Sequence, residues 1–243
     1  MSSLKCTAIV LRFADYKDAD RMVTLFSRQQ GRISASVRGV KKQNSKLRAG
    51  AELFSWGEYI INISGTRHSV TGYTQSEAFY PLRADVERLW CAMLACLLTE
   101  SVITDQPEPE LFDVLTGTLY ALAYSDEPAK ALMTAFMQDF LLLQGIYPST
   151  GSCALCGGTP AAFSASEGGV VCEKCISQDA IKLSMEAVYI LRDTGGTVAE
   201  RAGRHKKADD AALFSVFSVL MAQARYRLDR GFRTADFLFD MWR

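Results

Sequence analysis

The sequence predicts an α+β protein in which a small β-barrel is followed by a helical domain. Up to residue 80, short runs of β-branched and aromatic residues alternate with turn residues, as in strands. After Pro81, apolar residues recur at helical spacing. Two Cys-x-x-Cys pairs interrupt the helical part. We therefore expect a β domain at 1–80 and an all-α domain at 81–243, with a metal-binding insertion at about 148–180.

Five strands are predicted in the first domain. Their sequences are CTAIVLRF, RMVTLFS, GRISASVRGV, LFSWGEYIINI and SVTGYTQSEAF. Five short strands in so few residues suit a small closed barrel, and the oligonucleotide-binding (OB) fold is the commonest Greek-key barrel of this size. A small SH3-like barrel is the alternative.

Six helices are predicted in the second domain. They lie at about 85–105, 109–124, 128–145, 184–193, 209–230 and 234–241. Each begins near a Pro, Ser, Asp or Thr that can serve as a cap or first-turn residue. The short basic run formed by Arg204, His205, Lys206 and Lys207 falls between them, so we expect it in a loop.

The composition is that of a folded protein, with 49% hydrophobic and 22% charged residues. Apolar stretches such as 91–98 are far shorter than the roughly 18 residues of a membrane span. The N-terminus has no recognisable export signal. We therefore expect a cytoplasmic, nucleoid-associated protein with reduced cysteines, which makes no membrane contact.

Charge is distributed unevenly along a chain whose net charge is zero. Residues 1–80 hold 12 basic and 6 acidic residues, whereas 81–243 hold 15 and 21. No acidic residue lies between Asp20 and Glu52, a segment with eight basic residues: Arg21, Arg28, Arg32, Arg38, Lys41, Lys42, Lys46 and Arg48. We predict that these eight uncompensated charges contact nucleic-acid phosphates, with 41–48 as a mobile loop. A solvated loop that only confers solubility is the alternative.

Three aromatic residues of the barrel are candidates for stacking on unpaired bases. They are Tyr16, Trp56 and Tyr73. An aromatic residue in a strand is also a common component of a barrel core, which is the alternative for each of them.

Four cysteines are spaced as in structural zinc sites. Cys153 and Cys156 form one Cys-x-x-Cys pair, Cys172 and Cys175 form another, and 15 residues separate the pairs. Four thiolates complete a tetrahedral shell and leave no position for a substrate, so we predict one structural Zn²⁺. Free thiols, two local disulfides or an iron–sulfur cluster are the alternatives. The other cysteines, at positions 6, 91 and 96, are expected to be buried apolar residues.

A second basic cluster lies near the C-terminus. Its members are Arg225, Arg227, Arg230 and Arg233. They are expected to extend a DNA surface or to bind an acidic, hydrophobic peptide, while simple stabilisation of a helix end is the alternative. Residues 85–139 hold ten acidic and two basic residues, which favours contact with proteins over contact with DNA. The chain contains none of the common catalytic motifs, so we predict a binding protein rather than an enzyme.

Several segments together resemble the bacterial recombination mediator family RecO. They are DADRMVTLFSRQQGRISASVRGVKKQNSKLRAG, FLLLQGIYPSTGSCALCGG, GGVVCEKC and, more weakly, YRLDRGFRTADFL. These segments follow the family's order along most of the chain. One departure is the start YKDADR, where the family more often has Gly-Glu-x-Asp.

This resemblance implies a fold and a function. The implied fold is an N-terminal OB domain and a helical domain with a zinc knuckle in members that keep four cysteines. RecO-like proteins bind single- and double-stranded DNA, anneal complementary strands, and act with RecR to load RecA onto strands coated by single-stranded-DNA-binding protein (SSB), whose C-terminal tail they bind. A monomer is expected.

Two other functions remain open at this stage. A zinc-containing adaptor that joins protein partners would have no affinity for bare DNA. A redox sensor that uses the four cysteines would release zinc under mild oxidant.

Overall fold

The computed structural model describes residues 2–178 and 180–243. By its internal contacts the chain divides into two compact units, Met1–Pro81 with Cys96–Leu115, and Leu82–Ala95 with Thr116–Arg243. The first unit contains a β-barrel, and the second contains most of the helices and the four-cysteine cluster. None of the helices within the described ranges is long and apolar enough to cross a membrane.

The first unit is built on a closed barrel of five strands. The strands are β1 (Ser2–Tyr16), β2 (Asp20–Ser27), β3 (Gly31–Val37), β4 (Trp56–Ser64) and β5 (Arg67–Glu77), in the order β1-β2-β3-β5-β4. The predicted OB-like barrel of five strands is confirmed. β1 is longer than predicted because its first half pairs with β4 and its second half with β2. β3 meets β5 in parallel through two residue pairs, while the other junctions are antiparallel.

Alternate side chains of the strands fill the barrel. Val23 and Leu25 of β2 and Ile33, Ala35 and Val37 of β3 point into one buried core. This period of two is the geometry of an extended strand, and it directs the intervening residues of β2 and β3 outward. The outward set of these two strands therefore includes Met22, Thr24, Arg32 and Ser34.

Two helices follow the barrel, α1 (Val86–Val102) and α2 (Pro109–Tyr124), and residues 96–115 between their midpoints belong to the barrel unit. The ring of Phe112 lies edge-on to Phe26 at 5.5 Å and to Trp56 at 6.5 Å. Trp56 also stacks on Phe79, with ring centroids 6.3 Å apart. Outward-facing aromatic residues of the strands are thus buried against this segment.

Gly31, at the start of β3, lies directly against the α1–α2 connection. Its φ is +65°, and a Cβ there would lie 2.2 Å from the carbonyl oxygen of Gln106 and 2.5 Å from that of Thr104. The amide of Arg32 donates to the same Thr104 oxygen at 2.6 Å. Both close atoms are backbone atoms, so this contact requires glycine.

We expect Gly31→Ala to lower the free energy of unfolding by about 3 kcal/mol, from the positive φ and from steric overlap with backbone. Gly65→Ala is a matched control, because φ there is +59° but no atom lies within 4 Å of the added Cβ. The control should lose only about 1 kcal/mol. Urea denaturation of both variants measures the difference, and equal losses would contradict the proposed contact.

Among its described residues, the second unit contains five further α-helices. They are α3 (Ala129–Leu143), α4 (Met185–Arg192), α5 (Val198–His205), α6 (Asp210–Leu228) and α7 (Arg233–Trp242). α3 is buried along most of its length, as a central helix must be. Its Gln138 side chain donates to the carbonyl oxygen of Ile190 in α4 at 2.9 Å, and Lys130 pairs with Asp210 of α6 at 3.3 Å. The predicted helical domain is confirmed.

The prediction of a loop at Arg204 to Lys207 is wrong for Arg204 and His205, because these two residues form the last turn of α5. The helix begins with a capping box in which Thr197 Oγ1 accepts from the Glu200 amide at 3.3 Å and Glu200 Oε2 accepts from the Thr197 amide at 2.8 Å. This Thr-x-x-Glu spacing is visible in the sequence and is the pattern that indicates the start of this helix.

A buried ion pair fastens α5 to α3. Arg201 is fully buried, and its Nη2 lies 2.5 Å from Asp139 Oδ1 and 2.9 Å from the carbonyl oxygen of Ala135. Burial raises the pKa of Asp139, and the hydrogen bond from Arg201 opposes that rise. Removing either partner would leave a charge buried without its counterion, so the pair fixes how these helices pack.

Candidate nucleic-acid interface and metal site

The basic segment after β3 is a chain of turns closed by backbone hydrogen bonds. The amides of Lys42, Ser45, Arg48 and Ala51 donate in succession to the carbonyl oxygens of Gly39, Lys42, Ser45 and Arg48, at 3.1 to 3.4 Å. Val40 is buried and Leu47 packs on the barrel core. The stretch predicted as a mobile loop therefore has a regular hydrogen-bond pattern and apolar anchors.

This segment, residues 38–48, is also tied to the β1–β2 turn. The Lys41 amide donates to the carbonyl oxygen of Ala19 at 3.1 Å, and the Gly39 amide donates to Asp20 Oδ1 at 2.8 Å. Lys41 Nζ lies 2.9 Å from Asp15 Oδ2. The basic side chains are thus held at one end of the barrel, beside the end of β1.

Four of the eight predicted DNA-contacting residues have carboxylate partners. Arg21 pairs with Asp15 and Glu52, Lys41 with Asp15, Arg28 with Asp113, and Arg32 with Glu100. The expectation of eight uncompensated charges is wrong for these four. Lys41 and Arg21 lower the pKa of Asp15, and Arg28 lowers that of Asp113, so these carboxylates stay ionised.

Arg21 is the most enclosed of the eight. Its side chain is 18% exposed, and its guanidinium lies 4.2 Å from the centre of the Phe13 ring. Its Nη1 contacts Glu52 Oε1 at 2.7 Å and the carbonyl oxygen of Ala51 at 3.3 Å. These contacts link β2 to the turn after the basic segment, so Arg21 has a structural role.

The other four basic residues, Arg38, Lys42, Lys46 and Arg48, are exposed. Within residues 2–178 and 180–243, no carboxylate lies at ion-pair distance from any of them. Arg48 Nη2 donates to the Lys42 carbonyl oxygen at 2.8 Å, which also stiffens the segment. Together they form a compact positive surface that is available to a polyanion.

The three candidate stacking residues differ in their surroundings. Trp56 is held between Phe79 and Phe112, and Tyr73 packs on Tyr59 with ring centroids 4.7 Å apart. The rings of Trp56 and Tyr73 therefore pack against other rings of the protein and are not available for stacking on bases. Tyr16, at the end of β1, remains 48% exposed with Lys17 Nζ 5.3 Å from its ring centre.

The four cysteines of the two pairs meet at one point of the second unit. Their sulfur atoms, from Cys153, Cys156, Cys172 and Cys175, all lie within 4.8 Å of one another. Cys156 Sγ is 3.4 Å from Cys172 Sγ and 3.7 Å from Cys175 Sγ. A Zn²⁺ ion with bonds of 2.3 Å needs sulfur atoms about 3.8 Å apart, so the donor set fits this metal.

The short strands β6 (Ala162–Ser164), β7 (Gly169–Val171) and β8 (Ile181–Lys182) position these cysteines. β6 and β7 form a hairpin before the second pair, with Gly168 at a φ of +66°. After the first pair the chain turns back at Gly157, where φ is +74°, and Cys153 donates its amide to the Gly158 carbonyl oxygen at 2.9 Å. Each pair is thereby a tight knuckle.

Hydrogen bonding sets the thiol acidities in this cluster. Partial burial opposes ionisation of Cys153, but backbone amides directed at its sulfur lower its pKa to about 6. Shared hydrogen bonds with Cys156 and Cys172 raise the pKa of Cys175 to about 12. Amides directed at a sulfur stabilise the thiolate, which is the form that binds a metal.

The remaining cysteines have the predicted environment. Cys6 lies inside the barrel, and Cys91 and Cys96 lie in the buried face of α1. Burial raises the pKa of all three thiols, so they are packing residues.

The C-terminal basic cluster is split by its contacts. Arg225 donates to Asp236 Oδ1 at 2.6 Å and lies over the Phe239 ring, so it joins the end of α6 to α7. Arg227, Arg230 and Arg233 are exposed. α6 ends at Asp229 in the left-handed conformation, with a φ of 48°. Arg225 therefore stabilises the helix end, as in the alternative interpretation. Arg227, Arg230 and Arg233 are accessible to a ligand.

Two family models match most of the chain. A model described as recombination protein O N terminal matches residues 1–81, and one described as recombination protein O C terminal matches residues 83–218. The protein named DNA repair protein RecO of Acetivibrio thermocellus is 30% identical over 197 residues, covering 79% of this chain and 78% of that protein.

Two further relatives carry the same name. That of Desulfitobacterium hafniense is 36% identical over 176 residues, covering 70% of this chain and 64% of the relative. That of Desulforamulus reducens is 23% identical over 245 residues, covering 98% and 94%. Similarity therefore extends over both the barrel and the helical part.

Proposed function

The chain belongs to the RecO family of DNA repair and recombination proteins, and from that premise we propose that it is a recombination mediator. In this proposal it binds single- and double-stranded DNA, anneals complementary strands, and together with RecR helps to load RecA onto SSB-coated strands. The supporting observation is the surface of Arg38, Lys42, Lys46 and Arg48, whose charges have no carboxylate partner in the described chain.

Annealing requires no catalytic group in this mechanism. Two DNA strands repel each other through their phosphates, and a positive surface that neutralises both lowers that repulsion without ATP. Contacts to phosphates carry no sequence information, so we expect binding to be independent of sequence. We propose that residues 1–80 provide this surface and that the protein is not an enzyme.

Fluorescence anisotropy of a labelled single-stranded oligonucleotide at several salt concentrations tests the proposal. Four to six phosphate contacts give a slope of log K against log salt near −3 to −4, at about 0.7 per contact. No binding at low salt would reject DNA binding and favour a zinc-containing protein adaptor.

Tyr16 should favour unpaired over paired bases. Stacking on an exposed aromatic ring contributes about 1–3 kcal/mol per base. We expect Tyr16→Ala to weaken single-strand binding about tenfold and to leave duplex binding unchanged. Tyr16→Phe keeps the ring and is the matched control, which should bind like the wild type. Equal losses for single and double strands in the anisotropy assay would contradict stacking.

We propose that the four-cysteine cluster holds one structural Zn²⁺. Cys153, Cys156, Cys172 and Cys175 would supply all four ligands, so the metal would cross-link the two knuckles and present no open position. A redox function remains the alternative, and zinc release with a change of DNA binding under mild oxidant would favour it.

Partners are proposed on the same basis. Arg227, Arg230 and Arg233 suit an acidic peptide such as the SSB tail, although they suit DNA equally. RecR is proposed as a direct partner and RecA as an indirect one. We further propose that the protein is a monomer that acts in the cytoplasm at the nucleoid.

A further inference from the structure

Two arginines on the outside of the barrel converge on one carboxylate. Arg12 Nε of β1 lies 2.9 Å from Glu100 Oε1 of α1, and Arg32 Nη2 of β3 lies 3.7 Å from the same oxygen. The side chains of Arg12 and Arg32 are 62% and 43% exposed, whereas that of Glu100 is 12% exposed. One carboxylate cannot neutralise two guanidinium groups, so this cluster retains a charge of +1.

Most hydrogen-bond donors of the two arginines are unused. Arg12 Nε is the guanidinium nitrogen that pairs with Glu100, and the two Nη atoms donate no hydrogen bond within the described residues. Arg32 is fixed through its backbone amide on Thr104, but its guanidinium is beyond hydrogen-bond distance of Glu100. Free guanidinium edges held close together are the donor set that binds a phosphate.

Two residues with hydroxyl groups lie beside Arg12 on the neighbouring strands. Arg12 is the cross-strand partner of Thr24, and Thr24 is the cross-strand partner of Ser34. These three residues line a small cavity of about 80 Å³ on the barrel surface. Hydroxyls are common phosphate ligands in DNA complexes.

The cluster also lies within reach of the basic segment. Arg12 precedes Asp15 by three strand residues, or about 10 Å at 3.3 Å per residue. Asp15 is the residue that Lys41 contacts at 2.9 Å. A DNA strand bound along 38–48 that continues over the outer face of β1–β3 therefore passes over Arg12 and Arg32.

We propose that Arg12 and Arg32 form a phosphate subsite that extends the DNA path from the basic segment along the outer face of the barrel. The inference rests on the proposed DNA binding and adds Arg12, which lies outside the basic run of 21–48. The subsite contributes one phosphate contact, to which the hydroxyl of the exposed Ser34 also donates.

The test compares wild-type protein with Arg12→Gln, Arg12→Lys and Lys5→Gln by anisotropy across salt. Lys5 is the matched control, because it lies on the same strand, is 64% exposed and is paired with Glu58. Arg12→Gln should reduce the magnitude of the slope by about 0.7 and the affinity about fivefold at 0.1 M salt. Arg12→Lys should keep the slope, and Lys5→Gln should resemble the wild type. Thermal melting checks that each variant is folded.

The outcomes separate this subsite from the function on which it rests. If wild-type protein binds with the expected slope and Arg12→Gln is indistinguishable from it, the subsite is rejected while DNA binding stands. If Arg12→Gln and Lys5→Gln lose affinity equally, the loss reflects the overall charge of the protein rather than a local phosphate contact, and the subsite is again rejected. If wild-type protein fails to bind at low salt, the subsite and the proposed function are rejected together.

Discussion

Replacing Arg38, Lys42 and Lys46 with glutamate should weaken single-strand binding about 100-fold at 0.1 M salt and remove annealing. Each lost phosphate contact lowers log K by about 0.7 at this salt concentration, and three contacts together give about two orders of magnitude. The fold should persist, because the buried anchors of the segment are Val40 and Leu47 rather than the three substituted residues.

A second triple variant controls for net charge. Lys182, Lys206 and Lys207 are exposed residues of the helical part, and their replacement with glutamate changes the net charge equally. This variant should anneal strands nearly as well as the wild type. If the first variant still anneals at the wild-type rate, segment 38–48 has no part in the mechanism, whatever the control shows.

Cys153→Ser should abolish stoichiometric zinc binding and unfold the knuckle region. The buried core around the cluster is small, with Ala162 and Val171 as its only fully buried members besides Cys153 and Cys172 among the described residues. Such a core cannot hold the two knuckles without a metal cross-link, so loss of the metal should cost about 4 kcal/mol.

Elemental analysis and thermal unfolding with and without a chelator measure this effect. Cys96→Ala is the control, because Cys96 is buried in α1 and is not one of the four clustered cysteines, so this variant should keep one equivalent of zinc. A wild-type protein purified with well under one equivalent of zinc, together with unchanged stability of Cys153→Ser, would argue against the site.

Local patterns in the sequence predicted most of the fold. The alternation of apolar residues gave the five strands, and the cysteine spacing gave the cluster, because both signals lie within short stretches of chain. The capping box of α5 is equally local, but it was overlooked because that helix has few apolar residues.

Long-range partners could not be predicted. Arg28 pairs with Asp113, 85 residues away, and Arg32 pairs with Glu100 of the helix predicted at 85–105, and no local pattern indicates either pairing. The alternation of apolar residues also does not indicate whether another element covers the outward side of a strand. The sequence therefore could not distinguish Trp56, whose ring contacts Phe112, from Tyr16, whose ring is exposed.

The parallel junction between β3 and β5 is the shortest strand pairing of the barrel, and we expect the barrel to open there first. It consists of the pairs Ser36–Ser69 and Val37–Val70, far shorter than the antiparallel junctions. Opening there breaks few hydrogen bonds and frees Val37, the residue that leads into segment 38–48. A ligand bound to segment 38–48 would therefore restrain the end of β3, and slower hydrogen exchange at the β3–β5 junction would accompany its binding.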